Sequence, residues 1–251
     1  MVIVASMTSA KGKSKLRHVQ QELFRRGGKR RGAGRKPKGA RAGERHGARP
    51  DFKPYHALHV VMRVASAVGS LRRRKMYKAM RDATITAAMR ERFRIIHVSL
   101  QRSHVHMLVE AEHKAALARG MQGFQISAAR NINTALGDGE RRRRGKVFAD
   151  RYHVEVITSP TQARNAIAYV LCNFRKHQED QVAPMSSWGL DWFSSAVMFP
   201  GWAEYGEEAF LWRGPEAYDP LVVYQPQTWL LKEGWKKAAP ISYREVPSRK
   251  R

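Results

Sequence analysis

The chain has one cysteine in 251 residues, Cys172. No disulfide can form within it, which fits a reducing compartment. Acidic residues are scarce: 21 Asp and Glu stand against 47 Lys and Arg, a formal net charge of +26 at pH 7. That imbalance points to polyanionic partners, of which nucleic acid is the commonest. An anionic membrane surface attracts the same charge, so charge names a class of partner and no more. No apolar run approaches the roughly 20 residues that span a bilayer. The opening MVIVASMTSAKGK has only a short apolar patch with no basic segment before it, so no signal peptide is expected. The expectation is a cytoplasmic protein facing DNA or RNA, with no membrane partner.

What is present is unevenly spread. Residues 11–50 hold 15 Lys and Arg and 2 Asp and Glu, a local net of +13. This Gly- and Pro-rich stretch has almost no large apolar groups and cannot bury enough surface to fold alone. Residues 1–53 therefore read as a basic, largely disordered arm. Either it follows phosphates, with Arg35 and Lys36 in GRKP placed to enter a minor groove, or it is a solubilising linker.

Residues 54–180 read as the ordered domain. β-Branched residues mark strands at His56–Ala65, Phe93–Leu100 and His104–Ala111, and a fourth strand lies within VFADRYHVEVITS. Helical spacing marks Ser70–Phe93, Gly120–Leu136 and residues 160–178. The order β-α-β-β-α-β-α predicts an α+β fold. Its first six elements form a ferredoxin-like βαββαβ antiparallel sheet with helices mainly on one face, followed by an extra helix. Residues 181–251, rich in Trp, Pro and Gly, read as an extension that wraps the core.

The chemistry concentrates in SHVHMLVE, Ser103 to Glu110. Side chains of a strand alternate faces, so His104 and His106 share one face and Val105, Met107 and Val109 the other. The pair reads either as packed core histidines or as two ligands of one ion that needs a third from elsewhere. In the 160–178 helix, Ser159 is an N-cap, Pro160 the first helical residue and Gln162 the capping partner. Its apolar stripe is Ala163, Ile167, Val170, Leu171 and Phe174, with Asn165, Tyr169 and Asn173 on a second stripe about 120° away. Tyr169 reads as a rim tyrosine or as a phenol beside a metal.

Together, SHVHMLVE, GMQGFQISAARNIN, RRRRGKVFADRYHVEVI and ARNAIAYVLCNFRKH resemble the HUH transposases that use one tyrosine, especially the REP-associated tyrosine transposases. The resemblance runs from about His59 to His177 and implies the same α+β fold. It implies that His104 and His106 bind Mg²⁺ or Mn²⁺, that Asn173 is the polar third ligand, and that Tyr169 is the catalytic nucleophile on the extra helix. It further implies a metal-dependent transposase of the bacterial cytoplasm or nucleoid. The enzyme would cleave and rejoin single-stranded, hairpin-containing DNA through a 5′-phosphotyrosine, acting as a monomer or a homodimer. Imidazole donors suit Mn²⁺ better than oxygen-preferring Mg²⁺.

Two runs of basic residues add candidate phosphate contacts: Arg141, Arg142, Arg143 and Arg144 in a loop, and Arg72 and Arg73 opening the first helix. His97, Tyr152, His153 and Glu155 read as structural. Two other functions use the same fold. A replication initiator or relaxase-like nickase usually carries a second tyrosine or a helicase, and this chain has neither a second tyrosine on the 160–178 helix nor a complete Gly-x-x-x-x-Gly-Lys-Ser/Thr loop. A non-catalytic nucleic-acid-binding module would show aromatics where His104 and His106 stand.

Overall fold

Alternating apolar residues build a sheet with two buried faces in the computed structural model, which describes residues 47–181, 189–206 and 218–247. The strands are β1 (Ala57–Arg63), β2 (Phe93–Leu100), β3 (His104–Ala111) and β4 (His153–Ile157). Their order across the sheet is β2-β3-β1-β4, and every neighbouring pair is antiparallel. The helices are α1 (Arg74–Ala88), α2 (Lys114–Ala135), α3 (Pro160–Lys176) and the short α4 (Trp229–Lys232). The chain is therefore α+β with a four-stranded antiparallel sheet, as expected.

One face carries Leu58, Val60 and Met62 of β1 with Val105, Met107 and Val109 of β3, packed against Met76, Met80 and Ala83 of α1 and Met121, Phe124 and Ala128 of α2. Burying each large side chain of this kind stabilises by about 1.5–3 kcal/mol. Gly120 lets α2 approach the sheet closely, because a Cβ there would collide with the ring of Phe93.

The other face carries Ala57, Ile96, Leu108 and Ile157 against α3, and α3 in turn meets Phe199, Trp202, Leu231 and Trp235. So two long helices share one face and the tyrosine-bearing α3 takes the other. A register shift between Ile95 and His97 inserts one extra residue, which turns Ile96 towards α3 while Ile95 and Val98 stay in the first core.

α3 starts where its capping residues say it should. The Ser159 hydroxyl accepts from the Gln162 amide nitrogen at 3.3 Å, and Gln162 Oε1 accepts from the Thr158 amide at 2.9 Å. α2 begins at Lys114, earlier than the apolar spacing indicates, because the His113 ring nitrogen caps it by accepting from the Ala116 amide.

Three charged side chains of this frame, Glu110, Arg72 and Arg164, fasten the C-terminal residues to it. Fully buried Glu110 accepts from the Thr228 amide and hydroxyl, both at 2.8 Å, from the Gln227 amide and from Arg94 Nε. Arg72 donates to both carboxylate oxygens of Asp191, at 2.8 and 3.1 Å. Arg164 grips Glu245 with two donors and also donates to the carbonyls of Ala239 and Pro240. The last of these holds the chain after α4 against the outer side of α3.

Candidate active site

The antiparallel pairing of β1 with β3 sets Val61 opposite His106 and Arg63 opposite His104. His59, two residues back from Val61, is thereby diagonal to His106 on the same face. The two rings stack at 5.3 Å with 17° between their planes, and His59 Nε2 lies 3.1 Å from His106 Nδ1. The rings of His104 and His106 are 4.7 Å apart, as their shared face predicts.

α3 crosses this face and lowers Tyr169 onto it. The phenol ring is 5.2 Å from the ring of His106 and 5.7 Å from that of His59, both edge to face. Two turns on, Lys176 returns to the same side: its Nζ donates to the Tyr169 hydroxyl at 3.5 Å and lies 4.5 Å from the ring centroid. Just past the end of α3, His177 places its ring 5.3 Å from that of His104. All of these side chains come from one chain, so the tyrosine meets the histidine pair without a second copy.

Burial, then the neighbouring His177 and Arg63, push His104 down to about 4. Burial pushes His106 well below the usual histidine range, helped by His59, His104, His177 and Lys176. Both imidazoles are neutral at pH 7 and keep a lone pair for a ligand. His106 Nε2 is buried with no hydrogen-bond partner, and so are Oδ1 and Nδ2 of Asn173. Asn173 stands one turn after Tyr169 and is fully buried, not at the rim. An unsatisfied buried polar group costs about 1–3 kcal/mol, so these atoms await a partner.

Two neutral imidazoles and an amide oxygen suit a divalent ion of intermediate hardness, Mn²⁺ more than Mg²⁺. Among the described residues no group of three or more His, Cys, Asp or Glu is arranged to hold a metal, so the candidate set depends on the Asn173 oxygen.

Several expectations are redrawn here. Arg72 is no phosphate contact. Its side chain is 3% exposed and is taken up by Asp191 and the Leu100 carbonyl, because α1 begins only at Arg74 and Arg72 lies under the C-terminal residues. Arg73, Arg141, Arg142 and Arg144 are exposed, whereas Arg143 donates to Asn133 Oδ1 and braces its loop. Arg35 and Lys36 lie outside the described residues. His97 packs as expected, against Ser195 and Phe199. Buried Cys172 is held protonated, pushed up to about 12, and is no nucleophile.

His59, Lys176 and His177 join the site without having been singled out as functional residues. A signal existed for Lys176, which is seven residues after Tyr169 and so returns to the same helical face. His59 needed the β1–β3 register, which no local pattern supplies.

Residues 53–171 match the sequence family described as "Transposase IS200 like". Nothing among curated proteins matches the chain. Among solved structures, a REP-associated tyrosine transposase bound to a REP hairpin is similar at 14% identity and a TM-score of 0.45, covering 71% of this chain and 99% of its own. A candidate transposase from Deinococcus radiodurans R1 is similar at 14% identity and a TM-score of 0.35, covering 56% of this chain and 98% of its own. Both likenesses are distant, and the family match stands without them. Over residues 53–171, which include His104, His106 and Tyr169, this chain is similar to the IS200-like transposases.

Proposed function

We propose that this protein is a metal-dependent transposase that cleaves and rejoins single-stranded, hairpin-containing DNA through a 5′-phosphotyrosine on Tyr169. The observation that carries the reading is the edge-to-face contact of Tyr169 with His106, whose Nε2 is buried and unpartnered. The strongly positive net charge and the family match support it.

His104, His106 and Asn173 would hold the divalent ion, which supplies charge withdrawal from a scissile phosphate and its orientation for in-line attack. If Nε2 of His106 took the ion, its Nδ1–H would donate to His59 Nε2, and His59 would fix the tautomer and the ring plane. The Tyr169 oxygen attacks phosphorus. An Oη–P bond forms, the P–O3′ bond breaks, and the departing oxygen gains a proton as the phenol loses one. A free phenol ionises near pH ~10, so the neutral nucleophile is weak by itself. Lys176 sets a positive charge 3.5 Å from the phenol oxygen, where negative charge grows during attack and again when the phenolate leaves in the rejoining step. The covalent link keeps the bond energy, so a second 3′-OH can reverse the step and join strands.

The test is incubation with end-labelled single-stranded hairpin DNA and Mn²⁺. A protein–DNA adduct that survives denaturant and disappears in Tyr169→Phe is expected. Absence of an adduct with any hairpin, together with binding that ignores the metal, removes the catalytic reading.

A further inference from the structure

A cavity of about 330 Å³ opens beside Tyr169. It shares His59, Tyr169 and Lys176 with the site described above but is lined by none of His104, His106 or Asn173. Apart from Tyr169 and Lys176, its α3 lining is Gln162, Asn165 and Ala166, from the turns before the tyrosine. Its apolar lining is Ile157 of β4, Ala166 of α3 and Pro247 of the C-terminal segment that Arg164 holds in place, whereas the side chain of Val156 packs into the opposite core.

Beside His59, Tyr169 and Lys176, the polar lining is the exposed Gln162, Asn165 and Glu155, with Glu245, whose carboxylate Arg164 takes up. Gln162 has its Oε1 occupied by the Thr158 amide and hydroxyl, so its Nε2 is left to donate. Asn165, one turn before Tyr169, lines the cavity and makes no side-chain hydrogen bond among the described residues. Glu155 of β4 adds a carboxylate edge. Capping fixes Gln162, and helical spacing fixes Asn165 about 6 Å along the axis from Tyr169. That offset is one a neighbouring nucleotide can bridge while its phosphate sits at the phenol.

We infer that this cavity is a nucleobase site, which takes the base of the nucleotide next to the scissile phosphate and reads it through the amides of Asn165 and Gln162. The inference rests on the transposase reading above and adds to it a residue-level source of cleavage-site preference. The chemistry matches: pockets that accept an unstacked base close apolar walls on its faces and put hydrogen-bonding groups at its edge. An asparagine amide offers a donor and an acceptor side by side, the pattern that adenine complements at its N6 and N7.

The first test needs no cleavage. The full-length protein with labelled side-chain amides is titrated with each of the four 2′-deoxynucleoside 5′-monophosphates and, separately, with 2-deoxyribose 5-phosphate. The Gln162 and Asn165 amide signals are expected to shift with at least one nucleotide, with adenine the strongest, and not with the base-free sugar phosphate. Equal shifts with the sugar phosphate, or none with any nucleotide, overturn the site. The second test cleaves a hairpin whose flanks are randomised and sequences the ends. One position adjacent to the cut is expected to favour one base about tenfold, and Asn165→Ala is expected to flatten that position alone. A flat wild-type profile at both neighbours, or a peak that survives Asn165→Ala, overturns it. If nucleotides shift the amides but no adduct with Tyr169 forms, the transposase mechanism falls and the base site stands.

Discussion

Tyr169 and His106 meet edge to face, ring centroids 5.2 Å apart and planes at 85°, within one chain. One residue comes from a helix on the outer face and the other from an inner strand, so their contact depends on α3 seating on the sheet. Removing the imidazole tests whether the contact serves a metal. His106→Ala is expected to weaken Mn²⁺ binding by tenfold or more and to abolish the tyrosine adduct. Binding of hairpin DNA at low salt should fall far less, because charge supplies most of it. Calorimetric Mn²⁺ titration and gel shift measure the two separately, and an adduct formed at the wild-type rate would refute the metal assignment.

His59 gives a finer version of that test. Its Nε2 is 3.1 Å from His106 Nδ1, and partners of this kind typically change metal affinity 10- to 100-fold. His59→Phe keeps the ring and loses the hydrogen bond, whereas His59→Gln keeps a polar partner. Mn²⁺ affinity is expected to fall about tenfold in the first and to be partly restored in the second. Equal losses in both would assign His59 a packing role only.

The strands and the cap of α3 were legible in the sequence because they depend on local chemistry. β-Branched runs gave β2 and β3 their observed limits, and Ser159, Pro160 and Gln162 announced α3. The shared face of His104 and His106 followed from strand alternation alone. What stayed hidden depends on residues far apart in the chain. Arg72 looked like a surface cation at a helix start, yet it pairs with Asp191, 119 residues later. Asn173 fell outside the apolar stripe of α3, on a second stripe about 120° away, and nothing local marked it as buried. In fact α3 lies between the sheet and the C-terminal residues, so a second face is covered as well.

Lys176 should matter to rate more than to binding. Lys176→Gln removes the charge 3.5 Å from the phenol oxygen and is expected to slow single-turnover adduct formation about tenfold. Lys176→Arg is expected to retain most of the rate. Mn²⁺ affinity should be unchanged in both. A Lys176→Gln enzyme with wild-type rate and weakened DNA binding would make the residue a phosphate contact instead.

Acid should destabilise the fold through His97. Burial pushes this histidine down to about 4, whereas in the unfolded chain it titrates near 6.5. Between those values the unfolded chain holds the proton and the folded one does not, so stability falls as pH drops from about 6.5 to about 4. The contribution is on the order of a few kcal/mol for a fully buried ring. His97→Leu is expected to remove this residue's share of the fall of the thermal midpoint across that window in metal-free protein, with His104 and His106 supplying the rest. An unchanged pH slope in the variant would place the acid sensitivity elsewhere.

Asn173 sets stability against function. Both polar atoms of its amide are buried without partners, a cost of about 1–3 kcal/mol that the metal-free protein carries. Leucine has a similar shape and no polar group to strand. Asn173→Leu is therefore expected to raise the thermal midpoint of the metal-free protein by a few degrees, at about 2–4 °C per kcal/mol for a chain of this size. The same change removes the oxygen donor, so added Mn²⁺ should no longer stabilise the variant, whereas it should stabilise the wild type in proportion to its occupancy. The two effects have opposite signs and come from one titration of melting temperature against Mn²⁺. A variant less stable than wild type without metal, yet still stabilised by Mn²⁺, would mean that Asn173 holds the fold and not the ion.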